Sequence, residues 1–266
     1  MIVEGLIVFI FGLFLGSFLF VLIKRLPLSE SVVTSRSKCD FCGHTLSFLD
    51  LVPVLSFVSL GGRCRYCRKK LSAAYPLFEL FCGVAFLLTY FLTLNGFISY
   101  PLVQGSYIYL FLFMAVILAT LIVIFFADLF SYIIPLSMVV VGLIATTIYL
   151  FLSGGLPLVL SFLPVGIITA LFFLLIYLVT LKRGIGFGDV IYGFYMGFFL
   201  GFPKIVVGLY GAFLTGAFVS IILILLSKKR LRGGVVPFGP FLVIGTVFAL
   251  LFGDRVWSMV YVYLGI

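Results

Sequence analysis

Residues 106–127 read Ser-Tyr-Ile-Tyr-Leu-Phe-Leu-Phe-Met-Ala-Val-Ile-Leu-Ala-Thr-Leu-Ile-Val-Ile-Phe-Phe-Ala, without one charged side chain, and run directly into Asp128. The hydrocarbon core of a bilayer takes about 20 apolar residues of helix, so this stretch is long enough to cross it. Working outward, seven further apolar runs are separated by polar or Gly/Pro punctuation: about 2–23, 75–95, 134–153, 157–181, 189–202, 204–227 and 239–264. Eight helices would use about 160 residues of a 266-residue chain. The sixth run is short, and Gly201-Phe202-Pro203 makes a tight turn after it. The pattern predicts an all-α polytopic membrane protein with about eight transmembrane helices.

Composition agrees. Hydrophobic residues make up 64% of the chain and charged ones 9%, against roughly 45–50% and about 25% in a soluble domain. That excludes a water-soluble enzyme and a nucleic-acid module. The 17 basic residues outnumber the 8 acidic ones, and their placement matters more than their sum. Nine lie between Lys24 and Lys70, two are Lys182 and Arg183, and four fall between Lys228 and Arg232. Short loops rich in Lys and Arg stay in the cytoplasm, which makes the charge mostly a topology signal, with lipid as a further partner. The run Ile2 to Ile23 has no basic residue before it, and Lys24 and Arg25 follow it. It therefore reads as a retained helix with its N-terminus outside, and both termini are expected there.

Residues 24–74 differ from everything else. They are polar, too short to bury a core, and hold four of the five cysteines. Cys39-Asp40-Phe41-Cys42 and Cys64-Arg65-Tyr66-Cys67 are two C-x-x-C knuckles, a spacing that lets one tight turn aim two thiolates at a single tetrahedral zinc. Gly43 suits such a turn, and Lys38, Arg63, Arg65 and Arg68 offset the thiolate charge. The expected metal ligands are Cys39, Cys42, Cys64 and Cys67, in a structural site with no open position for water. Two disulfides or four unrelated thiols are the alternatives, and a reducing compartment argues against the former. His44 reads as a solvated neighbour and Cys82 as a packed helix residue. Three segments follow: a first transmembrane helix over 1–23, a zinc-binding domain over 24–74, and a membrane domain over 75–266.

With so few acidic residues each is informative. Glu4 and Asp254 sit near outer helix ends, Glu30, Asp40 and Asp50 belong to the polar loop, and Glu79 lies one turn into a span, placed to cap it or pair with a loop base. Replacing Asp50 is expected to leave any chemistry at the intramembrane aspartates intact. Asp128 and Asp189 remain, both at the cytoplasmic mouths of apolar helices, where an ionisable group is costly and function is the default reading. Gly184, Gly186 and Gly188 alternate ahead of Asp189, letting a backbone pass close and leaving room for a substrate strand. The structural alternatives are an N-cap for Asp189 and a turn residue for Asp128.

These stretches resemble the bacterial type IV prepilin peptidases, membrane aspartic proteases of the Gly-x-Gly-Asp type. The likeness is carried by Gly16-Ser17-Phe18-Leu19 with Arg25-Leu26-Pro27, and by Ser37-x-Cys39-x-x-Cys42 through Pro53-Val54-Leu55-Ser56 and Gly62-Arg63-Cys64-Arg65-x-Cys67 to Tyr75-Pro76-Leu77-Phe78-Glu79. Asp128 with Ile134-Pro135, Gly186-Phe187-Gly188-Asp189-Val190 and Pro237-Phe238-Gly239-Pro240 complete it. The resemblance implies an inner-membrane enzyme that cuts the basic leader from prepilins and pseudopilins after a glycine, on the cytoplasmic side. It implies Asp128 and Asp189 as the catalytic pair and the cysteines as a zinc site. It also implies methylation of the new N-terminal residue with S-adenosylmethionine. Two positions depart from the family pattern: Phe20 stands where asparagine is usual, and Ile191 where lysine is frequent. A peptidase without methylation is the alternative, and an ion-coupled transporter using the same aspartates is the rival from another class. Transporters usually place such groups near the midplane and often show repeats, unlike this chain.

Overall fold

The computed structural model describes residues 2–32, 36–182, 184–226 and 236–264. Arg183 and the basic cluster Lys228–Arg232, both used above as topology signals, lie outside them. The chain is all-α: eight helices are described and no strand is formed among the described residues. It divides into two compact units, 1–95 and 96–266.

The first unit pairs α1 (Ile2–Arg25) with α3 (Ala74–Leu94) in antiparallel fashion. Glycines set the approach: a Cβ on Gly12 would lie 2.9 Å from the Gly83 Cα, and one on Gly16 would lie 2.8 Å from the Cys82 Cβ. Small residues at a crossing are how membrane helices gain packing, since lipid offers no hydrophobic drive between them. Cys82 is fully buried there. Between the two helices stands the polar segment, with α2 (Leu55–Ser59) as its one short α-helix.

The second unit holds α4 (Tyr107–Ser131), α5 (Leu136–Val179), α6 (Phe187–Leu200), α7 (Lys204–Leu226) and α8 (Gly239–Leu264). A straight α5 of 44 residues would be about 66 Å long, twice a bilayer core. It is not straight. Gly154 and Gly155 leave helical geometry, and Gly155 has φ 68° with ψ −165°, a combination only glycine adopts freely. Along α6, contacts climb on one half of α5 and descend on the other: Gly188 meets Ile134 and Tyr195 meets Gly142, while Gly193 meets Phe173, Gly197 meets Thr169 and Gly201 meets Phe162. The halves are therefore antiparallel, matching the two separate spans 134–153 and 157–181. Six helices are long and apolar enough to cross a membrane among the described residues; with α5 crossing twice and the short α6, the chain makes eight passes.

α6 is short because it is enclosed. Ten of its 14 residues are buried, and the Tyr100 hydroxyl donates to the Phe199 carbonyl at 2.9 Å, tying down its end. Just beyond, buried Lys204 pairs with Asp254 at 3.2 Å and donates to the Ser99 carbonyl. Two boundaries differ from the sequence expectation. α4 runs to Ser131, so Asp128 lies in its last turn, stopped by Tyr132 in a left-handed conformation with φ 58°. α6 begins at Phe187 instead of Asp189, because Asp189 reaches back to the Gly186 amide, at 2.9 Å, and so stabilises a turn before itself.

Candidate functional site

The aspartates lie at one end of the second unit. Asp128 is 5% exposed and Asp189 6%, and the two are close enough for the charge of Asp128 to act on Asp189. Each carboxylate accepts a backbone amide at a helix start. Gly186 N–H donates to Asp189 Oδ2 at 2.9 Å, and Gly239 N–H donates to Asp128 Oδ2 at 2.9 Å. At both helix starts unsatisfied N–H groups converge, and among the described residues the donors to the two carboxylates come from the backbone.

The Gly239 contact was not singled out from sequence. A Cβ on Gly239 would stand 2.5 Å from Asp128 Oδ2, so only glycine lets α8 deliver its amide there. Its signal was the Pro-Phe-Gly-Pro run at the start of the last span. The three alternating glycines do different work. Gly188 packs on Ile134, since a Cβ would lie 3.3 Å from the Ile134 Cβ, and thereby joins the two aspartate motifs. Gly184 leaves space for Thr180, whereas a Cβ on Gly186 would come no closer than 3.5 Å to Asp189 Oδ2.

In the first unit the two knuckles are built alike. Antiparallel bridges Lys38–Thr45 and Arg63–Lys70 close each turn. Cys39 N–H donates to the His44 carbonyl at 2.9 Å, and Cys64 N–H to the Lys69 carbonyl at 3.0 Å. The residue after each second cysteine is left-handed, Gly43 at φ 68° and Arg68 at φ 60°. The four sulfurs lie within 4.8 Å of one another, with Cys39 and Cys67 Sγ 4.0 Å apart. Tetrahedral zinc with Zn–S near 2.3 Å needs sulfurs about 3.8 Å apart, whereas a disulfide needs about 2.05 Å. The Phe41 amide pulls the Cys39 thiol down, while, against the pull of the His44 amide, burial and the Cys39 and Cys67 sulfurs push the Cys42 thiol up. The cluster fits a metal ion. His44 is not part of it and lies against Tyr66, with ring centroids 3.7 Å apart and the rings tilted by 38°.

Asp50 is tied into the polar loop. Its carboxyl is 4% exposed and accepts Ser47 N at 3.0 Å, Ser47 Oγ at 2.7 Å and Arg65 Nε at 2.6 Å. Burial opposes its ionisation, but the Ser47 and Arg65 hydrogen bonds outweigh that and hold it at about 2. Glu79 neither caps α3 nor pairs with a loop base. It accepts the Val54 amide at 2.8 Å on the wall of a cavity of about 880 Å³ that also touches Ser17, Phe18, Lys24, Asp40 and Tyr75.

Helices enclosing two buried aspartates, joined in sequence to four cysteines that could hold a metal ion, define a multi-pass membrane protein with a candidate acidic site. The chain matches the Bacterial Peptidase A24 N-terminal domain over residues 10–93 and the Type IV leader peptidase family over residues 115–221. The cysteines fall in the first match and both aspartates in the second. The prepilin leader peptidase/N-methyltransferase of Bacillus subtilis (strain 168) is 30% identical over 259 residues, covering 95% of this chain and 96% of that protein. The protein of the same name from Aeromonas hydrophila is 31% identical over 280 residues, covering 94% and 91%. That from Myxococcus xanthus (strain DK1622) is 41% identical over 138 residues, 52% of this chain but 37% of the relative. No solved structure matches the chain. The chain belongs to the type IV leader peptidase family, a family of proteases, and is an enzyme that spans the membrane several times.

Proposed function

We propose that this enzyme cleaves the basic leader from type IV prepilins and pseudopilins after a glycine, with Asp128 and Asp189 as the catalytic pair. The observation that carries the reading is their joint burial, each on one backbone amide and within electrostatic reach of the other. Amide hydrolysis by two carboxylates needs one ionised and one protonated. The anion takes a proton from a bridging water, which attacks the carbonyl carbon; the acid polarises the carbonyl oxygen, and a proton then passes to the leaving amine. Two like charges at close range do not both ionise readily, so the pair shares one proton. Gly186 and Gly239 fix the carboxylates, and Gly188 on Ile134 holds the helices that carry them.

The charge distribution supports an inner-membrane placement with this end at the cytoplasm and both termini outside. The four cysteines would hold a structural zinc that would organise residues 37–71 without supplying a water for chemistry. Processing is followed by methylation of the new N-terminus, for which S-adenosylmethionine supplies the methyl group. The first unit's cavity falls within the roughly 300–1,000 Å³ of ligand sites. The domain reading follows: a first transmembrane helix over 1–23, a zinc-binding, methylation-associated domain over 24–74, and the aspartic peptidase domain over 75–266.

The test is a peptide with a basic leader, Gly-Phe and an apolar helix, incubated with purified enzyme and read by mass spectrometry. Wild type should release the leader, and add methyl mass only when S-adenosylmethionine is present. Asp128→Asn and Asp189→Asn should each lose cleavage by at least about 1,000-fold, since one carboxyl cannot serve as both acid and base. Near-native cleavage by either variant would overturn the shared-proton mechanism.

A further inference from the structure

Glu79 is the acidic group of the first unit's cavity that its neighbours leave without a counter-charge. Asp40 lies 3.5 Å from Lys24 Nζ and accepts the Tyr75 hydroxyl at 2.6 Å, and Asp50 binds Arg65 at 2.6 Å. Arg25 donates to the Ser31 and Arg36 carbonyls at 3.3 Å, and Glu30 is exposed to solvent. Glu79 accepts only neutral groups, the Val54 amide at 2.8 Å and the Ser17 hydroxyl. Among the described residues no basic side chain reaches it to ion-pair distance.

Its depth is fixed by α1. A Cβ on Gly16 would lie 3.1 Å from the Glu79 Cα, and Gly16 stands eight residues before Lys24, about 12 Å of helix. The Glu79 backbone is thus below the Lys24 level, and its half-buried carboxylate reaches back to the Val54 amide, a position where an unpaired anion is costly. A cation from outside the chain would relieve that cost. Phe14, Phe18 and Val21 of α1 give the same cavity an apolar stretch of wall. Cationic head and apolar body together describe the first residue of an apolar helix bearing a free amine.

We infer that Glu79 and this wall bind the N-terminal ammonium of the processed substrate, with its apolar first residue against Phe14 and Phe18. The inference rests on the methylating half of the function proposed above. Glu79 holds the ammonium and takes one of its protons, so that R–NH3+ and carboxylate become R–NH2 and carboxylic acid, leaving a lone pair on nitrogen. A sulfonium donor is the other cation that would suit the carboxylate, and the experiment separates the two.

Full-length, metal-loaded enzyme in lipid nanodiscs is titrated with a fluorescent apolar helix peptide that begins with phenylalanine and has no leader, so no cleavage is needed. The free-amine peptide should bind wild type at least about 10-fold more tightly than its N-acetylated form. Glu79→Gln keeps an acceptor for Val54 and nearly the same size; it should bind both forms alike, while retaining metal content and leader cleavage. A photoreactive first residue should crosslink to Phe14 or Phe18 in wild type, a readout that survives even if the variant folds poorly. No preference for the free amine in wild type, an undiminished preference in Glu79→Gln, or crosslinks elsewhere would each overturn the inference. So would weakened S-adenosylhomocysteine binding in Glu79→Gln with the amine preference intact, which would assign the carboxylate to the donor. Leader cleavage measured separately tells whether the peptidase reading has failed instead.

Discussion

Two carboxylates held by single backbone amides depend on the residues that donate those amides. Gly239 is the tighter case, because a methyl group there would stand 2.5 Å from Asp128 Oδ2. Gly239→Ala should push Asp128 off its amide and cut leader release about 10- to 100-fold, the scale on which roughly 1 Å of misplacement acts. Gly211→Ala, whose Cβ would find ordinary contacts at 3.7 Å, is the matched control and should cleave normally. Asp50 makes a prediction of a different kind. Its pKa is depressed to about 2, so its stabilisation of the knuckles is complete above the ordinary carboxylate value near 4 and lost as pH falls through about 2. At neutral pH Asp50→Ala should weaken the 37–71 segment by about 1–3 kcal/mol, as expected for a buried charged acceptor, seen as faster amide exchange there. Unchanged exchange would sink that role. The aspartates and cysteines were legible because rare residue types in an apolar chain carry their own signal. Gly239 and Asp50 were not, because their importance lies in partners 111 and 15 residues away.

Among the elements, α5 shows how far punctuation carries. Gly154-Gly155-Leu156-Pro157 separated two spans on sequence grounds, and the antiparallel contacts along α6 give the same division. What the pattern could not supply was the enclosure of α6. Its apolar residues run all round, and only its own glycines facing Phe173 and Thr169, with Gly142 of α5 facing its Tyr195, mark it as central. The hairpin turn itself is testable. Gly155 occupies φ 68° and ψ −165°, where a side chain costs about 1–3 kcal/mol. Gly155→Ala should therefore lower the thermal midpoint of the detergent-solubilised enzyme by several degrees, whereas Gly211→Ala should leave it nearly unchanged. An unchanged midpoint for Gly155→Ala would mean that the reversal does not rely on that conformation.

For the molecule as a whole, the division at Asn95–Gly96 separates the metal cluster from the aspartates. All the cysteines belong to the first unit and both buried aspartates to the second, so the two groups have separate structural supports. Residues 37–71 have little core: Cys39 and Cys64 are buried, but Phe48, Leu55 and Val58 are exposed. A segment so small lacks the apolar burial to fold unaided, and for such segments metal-binding free energy is folding free energy, of order 10 kcal/mol or more. Removing the metal with a strong chelator, or replacing Cys67 by Ser, should therefore erase amide protection across 37–71. Protection within 107–131 and 187–200 should persist, because there the ladder is helical and buried and no ligand belongs to it. Leader cleavage should survive metal loss at more than about half its rate, and methylation should not, since the cavity that holds Glu79 is roofed by that same segment. Hydrogen exchange and product mass, read on one chelated sample, decide between this and a single cooperative structure, in which protection and both activities would disappear together.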